Sequence, residues 1–145
     1  MDSITAFLRI RLSAGDAHYG GGLVSGARIM ELFGDLATEI AIRHDGDEGL
    51  LRAYETIELF APVYAGDYIE GRAVLTHVGR TSRTMEFEAY KVIAARPDIS
   101  PTAADVLETP ILIMRARSTT VVKAECQRLV SGTPRPVEAG GDEEE

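Results

Sequence analysis

Only one segment of this 145-residue chain has the periodicity of a helix. Between Val24 and Ile40, apolar side chains recur every three or four residues, which places them on one arc of a helix. The apolar arc consists of Ile29, Leu32, Phe33, Leu36 and Ile40. The segments on either side alternate between apolar and polar residues, which is typical of strands. An isolated amphipathic helix must therefore bury its apolar face against a sheet.

Five segments have the alternation and the turn boundaries of strands. One precedes the helix and four follow it, at residues 4–13, 51–60, 68–78, 84–94 and 111–124. Residues 95–109 contain Pro97 and Pro101, and Pro110 follows directly. Because proline disrupts helix interiors, we predict a loop there and no second helix.

This order of elements predicts an α+β fold in which an antiparallel five-stranded sheet wraps around one long central helix. A ferredoxin-like sandwich is the alternative, but it needs a second helix where the prolines lie. The length fits one domain, which we assign to residues 1–130. Residues 131–145 lack apolar periodicity and end in an acidic run, so we predict a disordered tail.

Charge and composition exclude several classes of function. The formal net charge is -8, and the tail contributes five acidic residues against one arginine, a net of -4. A mildly acidic body argues against nucleic-acid binding. Cys126 is the only cysteine, no apolar run is long enough to span a bilayer, and the start of the chain lacks a signal-peptide pattern. We therefore expect a cytoplasmic protein without nucleic-acid or membrane partners.

A glycine-rich turn directly before the helix is the most informative motif. Asp16 and His18 stand just before three successive glycines at residues 20–22. Glycines let backbone N–H groups approach a ligand closely, and a helix N-terminus carries partial positive charge. If residues 22–24 begin the helix, their N–H groups would stabilise an oxyanion beside an acid/base histidine. The alternative is a tight turn that carries a surface histidine.

Several motifs resemble those of hotdog-fold proteins. Gly22–Arg28 resembles the helix start of acyl-CoA thioesterase-type hotdog proteins, and residues 60–67 and 78–82 resemble the turns between their strands. A narrower similarity, over residues 5–125, is to the β-aminoacyl-CoA ammonia-lyases, which deaminate β-alanyl-CoA or 3-aminobutyryl-CoA to the enoyl-CoA. The stretches that carry it include Asp16-Ala17-His18-Tyr19, Gly34-Asp35, Thr38-Glu39, Ile57-Glu58 and Lys91-Val92.

The resemblance implies a lyase that reversibly eliminates ammonia from a short β-aminoacyl-CoA. Coenzyme A is then part of the substrate, and no separate cofactor is needed. A homodimer or higher homo-oligomer is implied, since hotdog active sites usually lie between protomers. Three alternatives remain: an acyl-CoA thioesterase, an enoyl-CoA hydratase and a non-catalytic acyl-CoA-binding module. Each of them, like the lyase, needs a site that binds the thioester group.

Elimination of ammonia needs a base, donors for the thioester oxygen and a carboxylate near the amine. We predict that His18 and Asp16 form the proton-transfer pair, that Asp35 or Glu39 holds the amine, and that Glu58 is a secondary candidate. The predicted substrate-binding residues combine the amides of the turn with cations for the phosphates of coenzyme A: Gly22, Leu23, Val24, Arg80, Arg83, Lys91 and Arg115. The widely spaced histidines and the lone cysteine predict no metal site.

Overall fold

The computed structural model describes residues 3–128, which form seven strands, one α-helix and three short 3₁₀ turns. The helix, α1, spans Gly26–Asp45. The strands are β1 (Thr5–Arg11), β2 (Leu23–Val24), β3 (Leu50–Leu59), β4 (Val63–Tyr64), β5 (Tyr68–Val78), β6 (Ser82–Ala95) and β7 (Ala104–Val121). The main sheet has the order β1-β5-β6-β7-β3 with every pair antiparallel, and β2 pairs with β4. The predicted α+β architecture is confirmed.

The predicted apolar arc of α1 is the buried face of the helix. All five of its residues are at most 1% exposed, and the Phe33 ring stacks on Phe87 of β6 with centroids 5.0 Å apart. Ser25 caps the start of α1 by accepting a hydrogen bond from the Ala27 N–H. Gly46 ends α1 in the left-handed conformation, φ 72°, which glycine adopts without steric cost.

The helix approaches the sheet closely at Gly71 of β5. A Cβ atom on Gly71 would lie 2.9 Å from Leu32 Cδ2 and 3.0 Å from Leu36 Cδ1. Both distances are well inside van der Waals contact, and a close-packed core has no free volume to relieve them. The missing side chain at this position therefore sets the spacing between α1 and β5.

Gly71→Ala is expected to lower the free energy of unfolding by about 1–3 kcal/mol, because it overpacks this contact. Gly34→Ala is the matched control. Nothing lies within 4 Å of a Cβ at Gly34, and alanine in a helix is favoured over glycine by up to about 1 kcal/mol. Urea denaturation at one protein concentration measures both effects. A Gly71→Ala protein as stable as the wild type would contradict this packing.

The loop predicted over residues 95–109 is wrong in its second part, because β7 already begins at Ala104. Residues 104–106 of β7 pair with residues 93–95 of β6. The register then shifts, so that residues 107–110 stand opposite Val92 alone. Pro110 lies in this irregular stretch, where a missing N–H interrupts no regular ladder. As predicted, no second helix forms here within the described residues.

Two further sequence predictions concern membrane-spanning helices and the C-terminal part of the chain. No helix within residues 3–128 combines the length and apolarity needed to cross a membrane. The predicted domain boundary at residue 130 and the predicted tail at 131–145 both lie outside the described residues.

Candidate active site

A depression of about 370 Å³ lies where the glycine turn meets the start of α1. It is lined by the 3₁₀ turn Ala14–Asp16, by His18 just before the glycine turn, and by Ser25 with the first turns of α1. The lining residues are Gly15, Asp16, His18, Ser25, Ala27, Arg28 and Glu31. The two acid/base residues of the predicted motif therefore do lie beside the helix start.

The glycine turn folds back on itself before the chain enters β2. Gly21 and Gly22 have φ values of 74° and 79°, in the left-handed region that glycine tolerates best. The Leu23 carbonyl accepts hydrogen bonds from the N–H groups of His18 and Tyr19, both at 3.0 Å. This arrangement leaves the His18 side chain exposed at the rim of the depression, with the Tyr19 ring edge-on at 4.6 Å.

The amides predicted to begin the helix do not do so. Leu23 and Val24 form β2, and the Leu23 N–H donates to the Gly20 carbonyl. The helix begins at Gly26, and the N–H groups of Ala27 and Arg28 donate to Ser25 Oγ and Ser25 O. The Gly26 N–H belongs to the first turn, for which α1 itself supplies no acceptor. The N–H groups of residues 22–24 therefore do not lie at the helix start, where Gly26 stands instead, and their role as oxyanion donors stays a prediction.

Asp16 pairs with Arg28, and not with His18 as predicted. Arg28 Nε donates to Asp16 Oδ1 at 3.0 Å, while Asp16 Oδ2 accepts the Ser13 N–H at 2.7 Å and the Ser13 hydroxyl at 3.2 Å. The hydrogen bond from the Ser13 backbone and the Arg28 guanidinium hold the pKa of the Asp16 carboxyl below its usual value. Asp16 is thus an ionised carboxylate with both oxygens engaged.

Arg28 links the two carboxylates of the depression. Its Nη1 lies 3.3 Å from Glu31 Oε1, at the i, i+3 spacing of a helix, and the Glu31 side chain is 73% exposed. The depression therefore holds one guanidinium and two carboxylates, whose charges sum to -1, beside the imidazole of His18. Sequence spacing indicates the Arg28–Glu31 pair, whereas the contact between Arg28 and Asp16 depends on how the glycine turn folds.

The other predicted carboxylates lie away from this depression within one chain. Given the helical rise, Asp35 and Glu39 are about 14 and 20 Å beyond Gly26 along α1. Asp35 is exposed, and Glu39 Oε2 accepts a hydrogen bond from Arg43 Nε at 2.8 Å. Glu58 pairs with Arg115 across β3 and β7. The residues before and after Glu58 pair with buried residues of β7, so Glu58 points to the opposite face of the sheet, away from α1. Catalytic roles for these three residues stay predictions.

Two of the predicted phosphate ligands are instead buried in ion pairs. The Arg83 side chain is fully buried, and its Nε and Nη2 donate to Asp45 at 2.8 and 2.9 Å. Lys91 Nζ lies 3.0 Å from Asp67 Oδ2, with only 10% of the Lys91 side chain exposed. The predictions that Arg83 and Lys91 bind coenzyme A are therefore wrong, because neither cation can reach a ligand.

Arg80 and Arg115 also lie outside the depression. Arg80 belongs to the β5–β6 hairpin, which the Arg83–Asp45 ion pair attaches to the last turn of α1. That end of the helix is about 30 Å from Gly26. Arg115 is half exposed on the outer face of the sheet, with its Nε 3.5 Å from Glu88 Oε2. Roles for both arginines in substrate binding stay predictions.

A larger groove, about 690 Å³, crosses this outer face. Its walls alternate in charge along neighbouring strands, as in the pairs Arg115–Glu88 and Arg117–Glu86, 3.5 and 3.9 Å apart. These half-exposed ion pairs balance one another and are typical of a solvated sheet face. Within residues 3–128, no group of three or more His, Cys, Asp and Glu side chains is arranged to hold a metal ion.

One helix wrapped by a five-stranded antiparallel sheet, with a depression at the helix start, defines the hotdog class of proteins. The family model of the thioesterase superfamily matches residues 21–92. A hexameric hotdog-fold thioesterase of Campylobacter jejuni superposes with a TM-score of 0.66 at 19% identity, over 92% of this chain and 90% of that one. At this identity the likeness shows the fold alone.

Two other relatives are much more similar. The 3-aminobutyryl-CoA ammonia lyase of Acetoanaerobium sticklandii is 60% identical over 121 residues, which cover 83% of this chain and 96% of the relative. The structure of the β-alanyl-CoA:ammonia lyase of Clostridium propionicum matches with a TM-score of 0.85 and 36% identity, over 97% of this chain and 96% of that one. The chain belongs to the family of the aminoacyl-CoA ammonia lyases.

Proposed function

We propose that this protein catalyses the reversible elimination of ammonia from a short β-aminoacyl-CoA, 3-aminobutyryl-CoA or β-alanyl-CoA, to give the enoyl-CoA. The observation that carries the proposal is the 60% identity to a 3-aminobutyryl-CoA ammonia lyase over 96% of that relative. Coenzyme A enters as part of the substrate. The depression at the start of α1 is the proposed site of the reaction.

Elimination begins when a base takes the proton on the carbon next to the thioester carbonyl. Negative charge then develops on the thioester oxygen, and the bond from the β-carbon to nitrogen breaks as ammonia leaves. The Gly26 N–H at the positive end of α1 is suited to stabilise that oxygen. His18 is suited to accept the proton, because its exposed imidazole lines the depression and histidine is the side chain that most often acts as a general base. His18 later gives this proton to the departing ammonia, which becomes ammonium.

The charge of the depression supports an aminoacyl substrate over a plain acyl substrate. The side chains of Asp16, Arg28 and Glu31 sum to -1, so the ammonium group of a β-aminoacyl-CoA brings the site to neutrality. Both Asp16 oxygens are engaged. Glu31 contacts Arg28 through one oxygen only, in the described contacts. We therefore assign the ammonium to Glu31, in place of the predicted Asp35 or Glu39.

Glu31→Gln should raise KM for the β-aminoacyl-CoA about threefold to tenfold, because a largely exposed charge-assisted contact is lost. Asp35→Asn is the control, since Asp35 is an exposed carboxylate one turn further along the same helix. Steady-state kinetics of both variants measure the difference. A larger rise in KM for Asp35→Asn than for Glu31→Gln would indicate that Asp35, as predicted from the sequence, binds the ammonium group.

The exposed edge of the sheet supports a homodimer. Among residues 3–128, the ten-residue strand β3 has no partner on its outer edge, and its side chains Leu50, Leu51, Ile57 and Leu59 are 43–61% exposed. A long apolar edge strand readily pairs with a second chain. We propose that β3 pairs antiparallel with β3 of a second copy. Such pairing brings the β5–β6 hairpin of one copy, with Arg80, towards the α1 start of the other.

Incubation with 3-aminobutyryl-CoA tests the proposed function. The expected result is the release of ammonia together with an equal amount of enoyl-thioester absorbance, without free CoA thiol. Release of thiol without ammonia would instead indicate a thioesterase.

A further inference from the structure

Two apolar side chains surround the first residue of α1. A Cβ atom on Gly26 would lie 3.3 Å from Met114 Cε and 3.6 Å from Leu59 Cδ2. Leu59 and Met114 are direct partners across β3 and β7, so both project towards α1. Met114 is 1% exposed, but Leu59 is 60% exposed. The Leu59 side chain is therefore the accessible part of an apolar wall at the start of α1.

This wall faces a substrate carbon whose position follows from the proposed function, on which the inference rests. With the thioester oxygen at the Gly26 N–H, the β-carbon is two bonds from the carbonyl carbon. Its substituents then lie within reach of the side chains around Gly26. The charged side of the depression, with Arg28 and Glu31, receives the ammonium. The apolar side receives the other substituent, which is a methyl group in 3-aminobutyryl-CoA and a hydrogen atom in β-alanyl-CoA.

We propose that Leu59 is a specificity-determining residue whose Cδ methyl groups contact the methyl group of 3-aminobutyryl-CoA. Met114, the cross-strand partner of Leu59, is the buried part of the same apolar wall. The chain therefore prefers 3-aminobutyryl-CoA to β-alanyl-CoA. One methyl group in an apolar contact is worth about tenfold or more in kcat/KM. Pairing of the β3 edge uses backbone groups in the plane of the sheet, so it leaves the Leu59 side chain available on the α1 face.

Leu59→Ala is the variant that tests this assignment. Phe7→Ala is its control, because Phe7 is a 50% exposed apolar side chain on β1, at the edge of the sheet opposite to β3. Leu59→Met conserves the volume of the side chain. The measured quantity is the ratio of kcat/KM for 3-aminobutyryl-CoA to that for β-alanyl-CoA. We expect Leu59→Ala to lower the ratio about tenfold and to leave the β-alanyl-CoA value within about threefold, while the other two variants keep the wild-type ratio.

Two results would overturn the assignment: a ratio for Leu59→Ala within about twofold of the wild type, or an equal fall for Phe7→Ala. Calorimetric binding of butyryl-CoA and propionyl-CoA, which differ by the same methyl group, provides a readout that does not need turnover. Leu59→Ala should weaken binding of butyryl-CoA selectively. Selective weakening in a protein that eliminates no ammonia would reject the proposed function and retain Leu59 as the methyl contact.

Discussion

His18→Ala should lower kcat for ammonia elimination by about 100- to 10,000-fold, the usual contribution of a general base. His18 is exposed at the rim of the depression beside the start of α1. Asp16 cannot replace it, because Ser13 and Arg28 engage both of its oxygens and lower the pKa of its carboxyl. The variant should fold normally, since the described contacts of the imidazole are limited to the Tyr19 ring.

His77→Ala is the matched control for His18→Ala, because His77 is an exposed histidine on β5. It should keep wild-type turnover. Added imidazole should restore part of the activity of His18→Ala without changing that of His77→Ala. Full turnover by His18→Ala would show that the imidazole is not the base, and a carboxylate would then be the candidate for proton transfer.

Asp45→Asn should lower the free energy of unfolding by about 3–5 kcal/mol, because it leaves a buried guanidinium without its counter-charge. The side chains of Asp45 and Arg83 are both fully buried and share two hydrogen bonds, at 2.8 and 2.9 Å. Arg83 also donates to the carbonyls of Gly79 and Ser82. The pair therefore fastens the end of α1 to the β5–β6 hairpin, and urea denaturation measures its loss.

An exposed ion pair on the same helix provides the comparison. Glu39→Gln breaks the contact between Glu39 and Arg43, which should cost no more than about 0.5 kcal/mol. Replacing Asp45 and Arg83 together by leucine and methionine should recover much of the stability lost in Asp45→Asn. Equal losses for Asp45→Asn and Glu39→Gln would contradict a structural role for the buried pair.

The buried pair also makes stability depend on pH in the acid range. Burial by itself would raise the pKa of Asp45, but Arg83 and the neighbouring His44 outweigh it and lower the pKa to about 2, from an ordinary 3.8. The contribution of Asp45 is therefore complete above pH 3.8 and is lost as the pH falls towards 2. It amounts to about 2 kcal/mol. Urea denaturation midpoints between pH 5 and pH 2 should fall more steeply for the wild type than for Asp45→Asn.

The sequence predicted the main elements of the fold because their patterns are local. The apolar arc of α1 and the alternation of β1 depend on neighbouring residues only. The missed features depend on partners distant in the chain. Two residues of β2 become a strand through pairing with Val63 and Tyr64, and this moves the helix start to Gly26. Register shifts in β3 interrupt its regular alternation, and Tyr54 packs against the core there.

The candidate site was predictable to the extent that it is local. Asp16 and His18 are two residues apart, and both line the same depression. Arg83 and Lys91 were misassigned because an arginine or lysine on a strand looks the same in sequence whether it is solvated or buried. Asp45, whose carboxylate pairs with the buried Arg83, is 38 residues away in the sequence. The contacts of Gly26 with Leu59 and Met114 likewise require the folded sheet.

Addition of ammonia to an enoyl-CoA tests the proposed reaction most directly. The protein is incubated with crotonyl-CoA in the presence and absence of ammonium, and both the enoyl absorbance and free CoA thiol are followed. We expect the absorbance to fall only when ammonium is present, with no thiol released. Thiol release would indicate a thioesterase, loss of absorbance without ammonium would indicate a hydratase, and no change would indicate a binding module. Any of these three results would contradict an ammonia lyase.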